Sequence, residues 1–128
     1  MGLKNLFQWK PEVMHGRPED IRRQLIAQHC RGRSLVDVGC MWNVNGAYAF
    51  HAHDSGAASV TGMDLTPATA EFLSMNAERN NAVRFVQGDI NSRAVTDTLG
   101  VHDIVFCSGV LYHVPDPIHT LEQLGRIC

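Results

Sequence analysis

No apolar run in this chain approaches the roughly 18 residues that a membrane-spanning helix needs. No basic excess is present either. The formal net charge is −2, which leaves no positive field for sequence-independent binding to nucleic acid, though it does not exclude one local RNA contact. The four cysteines, Cys30, Cys40, Cys107 and Cys128, form no C-x-x-C pair, so neither a zinc site nor a redox motif is signalled. They read as reduced, mostly buried thiols of a cytoplasmic protein. The seven histidines are scattered. His51 and His53 would diverge on a helix rather than share a face, and no metal site is expected. The N-terminus lacks the apolar core of a signal peptide. Gly2 is not followed by the Ser or Thr at position six that myristoylation favours, because Leu6 stands there. Internal repeats and low-complexity segments are also missing.

What remains is an ordinary globular chain. Its 128 residues, 45% hydrophobic and 19% charged, suffice for one core and not two. Residues 1–17 read as an N-terminal arm and 18–128 as a single domain. Pro18, Glu19 and Asp20 suit a helix start, and Ile21, Leu25 and His29 share a face over 18–30. Short apolar strands follow at 34–38, 59–64, 83–87 and 103–108, the last nearly all apolar, as suits a parallel sheet buried on both faces. Helical patterns alternate with them. One covers 45–54, with Ala47, Phe50 and Asp54 in register. Another covers 66–80, with Thr66 as cap before Pro67 and with Ala68, Phe72 and Met75 as its stripe. A weaker one covers 91–99. The last begins at Asp116-Pro117 and carries Ile118, Leu121 and Leu124. This alternation predicts an open, mostly parallel, doubly wound α/β sheet with right-handed crossovers.

Ligands in such sheets sit at the carboxyl ends of the strands, and the residues of chemical interest fall there. Asp37-Val38-Gly39-Cys40 ends the first strand, where a glycine lets backbone approach a ligand. Gly46 opens the next helix, whose free N–H groups can meet a carboxylate. Asp64 and Leu65 end the second strand, 25 residues after Gly39. A carboxylate there can accept both hydroxyls of a ribose. Gly88, Asp89 and Ile90 end the third. Asp89 can accept from an exocyclic amine or cap the next helix, while Ile90 packs on a base. Cys107 and Ser108 end the fourth strand, and Tyr112 and His113 follow it.

Taken together, VDVGC, GMDL, GDI and DIVFCSGVLYHVPDP resemble the class I S-adenosylmethionine-dependent methyltransferases over about residues 18–127. The last stretch looks most like the branch containing transfer-RNA wobble-uridine carboxymethyl-modifying enzymes and related small-molecule methyltransferases. The resemblance implies a Rossmann-like fold, S-adenosylmethionine as cofactor, and a small-molecule or tRNA acceptor, with the small molecule favoured. It implies that Asp37 and Gly39, with Cys40 and Gly46 in the same loop, frame the methionine end. Asp64 and Leu65 then serve the ribose, Gly88, Asp89 and Ile90 the adenine, and Cys107 and Ser108 the floor beneath the sulfonium. His113 is the candidate catalytic base, with Tyr112 orienting the acceptor.

The chain departs from the family pattern in two places. The first loop is longer than the family's compact D-x-G-C-x-x-G, since Gly39 and Gly46 lie seven apart. Either Trp42 and the asparagines replace the usual glycine backbone, or the pocket is partly obstructed. The family's fifth strand and final antiparallel pair are also not seen before Cys128. The fourth strand would then be an exposed apolar edge inviting self-association, and the chain a marginally stable fragment. Two other readings compete. One is a truncated or degenerate, non-enzymatic relative. The other is a nicotinamide-dependent oxidoreductase, which the missing second glycine of G-x-G-x-x-G disfavours.

Overall fold

The computed structural model describes residues 16–128; most of the expected N-terminal arm, 1–15, lies outside the described residues. Helix α1 (Pro18–His29) leads into β1 (Ser34–Val38), α2 (Ala47–Asp54), β2 (Ser59–Asp64) and α3 (Ala70–Ala77). Then come β3 (Val83–Gln87), α4 (Arg93–Leu99), β4 (Ile104–Cys107), a 3-10 turn at Leu111–His113 and α5 (Pro117–Arg126). The four strands form one sheet in the order β3-β2-β1-β4, and every pairing is parallel. Chain order reverses between β1 and β4, which makes the crevice at their carboxyl ends the topological switch point.

Alternate residues on each strand face opposite layers, as the two-residue period requires. Leu35, Val60, Val83 and the half-buried Phe85, Ile104 and Phe106 join Ile26, Phe50 and Phe72 in one cluster. Val36, Val38 and Met63 join Leu99, Leu124 and Ile127 in the other. The sheet is therefore doubly wound, with a separate apolar layer on each face. The outer edge of β4 carries no strand among the described residues.

Three elements differ from the sequence reading, each for a local reason. In α1 the buried stripe is Ile26 and Cys30 with Arg22 half-buried, one position on from Ile21, Leu25 and His29. An arginine within that stripe hides its phase. Helix α3 starts at Ala70 rather than at Thr66-Pro67. The Thr66 N–H and hydroxyl both go to Asp64 Oδ1, each at 2.9 Å. Thr69 becomes the cap, accepting from the Phe72 N–H at 3.1 Å. The same helix stops at Ala77. The Asn76 side chain bonds both backbone groups of Val83 (2.8 and 3.0 Å), and Asn80 and Asn81 turn left-handed (φ 54° and 55°). In α5 the buried residues are Thr120, Gln123 and Leu124, while Ile118 and Leu121 remain 66% and 48% exposed.

Candidate functional site

The long loop after β1 is a built structure and leaves the crevice open. Four of its eight residues from Gly39 to Gly46 adopt positive φ: Gly39 (83°), Asn43 (56°), Asn45 (47°) and Gly46 (79°). Asparagine tolerates this region better than other side chains, so Asn43 and Asn45 supply turns that glycines would otherwise make. Asn45 is held from both ends of its amide. Its Nδ2 donates to Glu71 Oε2 at 2.7 Å, and its Oδ1 accepts from the Thr69 hydroxyl at 3.0 Å. Trp42 stands at the crevice rim, 73% exposed.

A cavity of about 490 Å³ occupies the carboxyl ends of the strands, a volume in the range of small-molecule and cofactor sites. Ten of the residues given a cofactor or acceptor role from the sequence line it: Asp37, Gly39, Asp64, Leu65, Gly88, Asp89, Ile90, Ser108, Tyr112 and His113. Cys40, Gly46 and Cys107 do not. Cys40 is fully buried, with its sulfur beneath Gly62; a Cβ built at Gly62 would lie 2.8 Å from it. Burial pushes its thiol far above the ordinary range. Gly46 faces Phe72 and Phe50, and its N–H is not free, because it donates to the Cys40 carbonyl at 2.7 Å. The Cys107 side chain packs in the layer with Val38 and Leu111, and burial pushes its thiol up to about 11.

The carboxylates differ in how they are held. Asp64 Oδ2 accepts the Met41 N–H at 2.8 Å, and its Oδ1 accepts the two Thr66 donors. Asp64 thus joins the end of β2 to the β1 loop; its Oδ1 is saturated by the two Thr66 donors, and its Oδ2 keeps a lone pair for a ligand. Asp89 is exposed and accepts the Asn91 N–H at 2.8 Å; the cap of α4 is Ser92. Asp37 is 2% exposed. It accepts from the Ala49 N–H in the first turn of α2, while its Oδ2 has no partner. Burial pushes its carboxyl up to about 7, with the neighbouring Asp64 charge adding to the rise and the Ala49 bond opposing it.

Two glycines make room at the cavity wall. A Cβ at Gly39 would lie 2.5 Å from Val110 Cγ2, and one at Gly88 would lie 2.5 Å from Val95 Cγ2. The sequence reading missed several lining residues, chiefly Arg22, Tyr48 and Phe106. Arg22 donates to the Tyr48 hydroxyl at 3.2 Å, and the Tyr48 ring meets Phe106 at 5.3 Å between centroids. The spacing of Arg22, Ile26 and Cys30 at four-residue steps was the available signal for Arg22. On the other wall the Tyr112 and His113 rings lie 4.3 Å apart; both side chains are exposed.

A doubly wound parallel sheet with a switch-point cavity ringed by strand-end carboxylates defines a nucleoside-cofactor-binding α/β domain. Comparison with known proteins narrows the class. The methyltransferase domain family matches residues 36–128, and the chain belongs to that family, which sets aside the nicotinamide alternative. It is 32% identical over 103 residues to the tRNA U34 carboxymethyltransferase of Campylobacter hominis, covering 73% of this chain and 32% of that protein. It is 30% identical over 97 residues to the ubiquinone biosynthesis O-methyltransferase of Vibrio parahaemolyticus, covering 75% and 39%. Among solved structures, the trans-methyltransferase CalH in complex with SAH aligns with a TM-score of 0.63 at 20% identity, covering 82% of this chain and 31% of that one. The chain thus spans about a third of the length of the curated relatives it matches. No helix among the described residues is long and apolar enough to cross a membrane.

Proposed function

We propose that this chain is the cofactor-binding part of an S-adenosylmethionine-dependent methyltransferase. The observation that carries the reading is the set of carboxylates at the ends of three successive parallel strands, all lining one cavity at the switch point. The residues present suit the cofactor. Asp64 has a lone pair left on Oδ2 for a ribose hydroxyl. Asp89 offers its second oxygen to an exocyclic amine, and the buried Ile90 offers an apolar surface to the base. Asp37 lines the cavity with a carboxyl that has one unpartnered oxygen, a partner for a nearby cation. Arg22, the only lysine or arginine among the described residues of the cavity wall, suits the carboxylate of the methionine end. Gly39 and Gly88 keep the wall clear for backbone approach.

When bound, the cofactor supplies an electrophilic methyl group. The chain's own contribution is then to orient it and to admit an acceptor in line, and positioning of this kind can account for much of a rate enhancement. The acceptor enters past Tyr112 and His113. His113 takes its proton where the nucleophile needs activating, and Tyr112 steers it. Relatives named for tRNA and for ubiquinone biosynthesis support an acceptor among small molecules and tRNA. The net charge of −2 leans toward the former.

Calorimetry of S-adenosylmethionine against this chain, with Asp64→Ala beside it, tests the cofactor. Micromolar binding lost in the variant supports the reading. No binding by a folded wild-type chain overturns it. Methyl transfer to a screened acceptor would then separate an enzyme from a relative that only binds.

A further inference from the structure

The Asp37 carboxyl is the least explained group in the cavity. A buried polar atom without a partner is rare in native proteins and marks either strain or a reserved function. Asp37 is held rigidly: it sits on the central strand, between β2 and β4, and one oxygen is fixed by the Ala49 N–H. The residue lines the cavity, while its Oδ2 is sealed from water and has no partner. Removing a carboxylate from water without a counter-charge is costly, and the group keeps its proton instead. A cation arriving beside it reverses that balance.

We infer that cofactor binding is proton-coupled through Asp37: the carboxyl gives up its proton when a cationic group of the cofactor docks in the cavity beside it. The inference rests on the cofactor reading above. The step balances simply, with the O–H bond of Asp37 breaking, the proton passing to the buffer, and the new carboxylate pairing with the ligand cation. Two ligand cations are available, the sulfonium and the α-ammonium. S-adenosylhomocysteine keeps only the second, so it tells them apart.

Other groups that face or share this space enter the test. Asp64 faces Asp37 from the end of β2, Cys40 from the loop and Cys107 from β4. Both thiols are held too high to titrate near neutrality. Arg22 on α1, Tyr48 on α2, Asp89 after β3, and Tyr112 and His113 after β4 line the same cavity. The histidine among these is His113. Its share is whatever survives when Asp37 is neutralised.

The experiment is calorimetric titration of the 128-residue chain with S-adenosylmethionine and with S-adenosylhomocysteine. Each is run at pH 6 and pH 8, in two buffers of different ionisation enthalpy, on wild type and Asp37→Asn. With the carboxyl titrating at about 7, wild type should release about 0.9 proton per site at pH 6 and about 0.1 at pH 8, with affinity about tenfold weaker at pH 6. Asp37→Asn should lose most of both effects. Release with both ligands assigns the α-ammonium, and release with S-adenosylmethionine alone assigns the sulfonium. Binding with equal heats in the two buffers at pH 6, or undiminished release in Asp37→Asn, overturns the inference and leaves the cofactor reading intact. Failure of the folded wild type to bind either ligand overturns the cofactor reading itself. Should the variant not fold, the buffer and pH dependence of wild type alone decide.

Discussion

The ends of β1 and β2 carry the same residue type in opposite conditions. Asp64 is enclosed by three donors, from Met41 and Thr66, and both its oxygens are engaged. Asp37, on the neighbouring strand, has one donor and one bare oxygen. Both are almost fully buried, so burial alone does not separate them. The difference lies in what the adjoining backbone offers. The β1 loop and the turn after β2 curl their N–H groups around Asp64, whereas Asp37 meets only the first turn of α2. One carboxylate therefore helps to build the site and the other waits for a ligand. A local rule broken without internal compensation is what a functional site leads one to expect.

The largest effect should come from neutralising the uncompensated carboxyl. In the unfolded chain Asp37 has its ordinary value of 3.8, and in the fold it lies at about 7. Below 3.8 both states hold the proton. Between the two values the folded state holds a proton that the unfolded state has lost, so stability falls as pH rises through this window. Above about 7 both states are ionised and the full desolvation cost is felt. At about 1.4 kcal/mol per pKa unit the ceiling is on the order of 4 kcal/mol. Asp37→Asn should thus match wild type near pH 4 and exceed it increasingly up to pH 8, as followed by thermal or urea unfolding. A constant difference across that range would show that the two strand ends are alike after all.

Asp64→Ala should act in the opposite direction, destabilising by about 3 kcal/mol, because it strands the buried Met41 N–H and releases the Thr66 turn. Cofactor affinity should fall by at least about tenfold with the loss of one charge-assisted bond. Gly39→Ala comes next, at about 2 kcal/mol. The new Cβ meets Val110 at 2.5 Å on a backbone at φ 83°, so steric and conformational strain both contribute. Adding Val110→Ala should recover the steric share and leave the rest, as a double-mutant comparison of unfolding free energies would show.

Much of this was legible in the residues themselves. Strand positions followed from short apolar runs between turn signals, and the strand-end acids followed from their place in those runs. What escaped was set by competition between local bonds. Thr66-Pro67 is a good helix start in isolation, but Asp64 takes both Thr66 donors first. Gly46 suggests a free helix N-terminus, but the loop's own carbonyl occupies its N–H. Arg22 went unread, although it lies one turn before Ile26 on the buried stripe, lines the cavity and donates to Tyr48. Periodicity reports where apolar residues fall and is silent about a polar residue that shares their face.

Asp89 completes the series along the sheet and should show the smallest effect. It is exposed, one oxygen accepts the Asn91 N–H, and its carbonyl accepts the Ser92 N–H. Water can satisfy its second oxygen whenever the ligand does not, so it carries none of the strain stored at Asp37. A ligand bond made here replaces a bond to water, and the net gain is about 1 kcal/mol. Asp89→Ala should accordingly weaken cofactor binding by about fivefold, with proton release at pH 6 unaltered. Asp89→Asn, whose amide oxygen still accepts, should restore most of the affinity. Calorimetry on the three variants at one pH ranks the strand ends directly. If Asp89→Ala were as damaging as Asp64→Ala, anchoring by backbone donors would not be what distinguishes the carboxylates. The contrast would then have to be sought in the ligand's own demands on each end of the sheet.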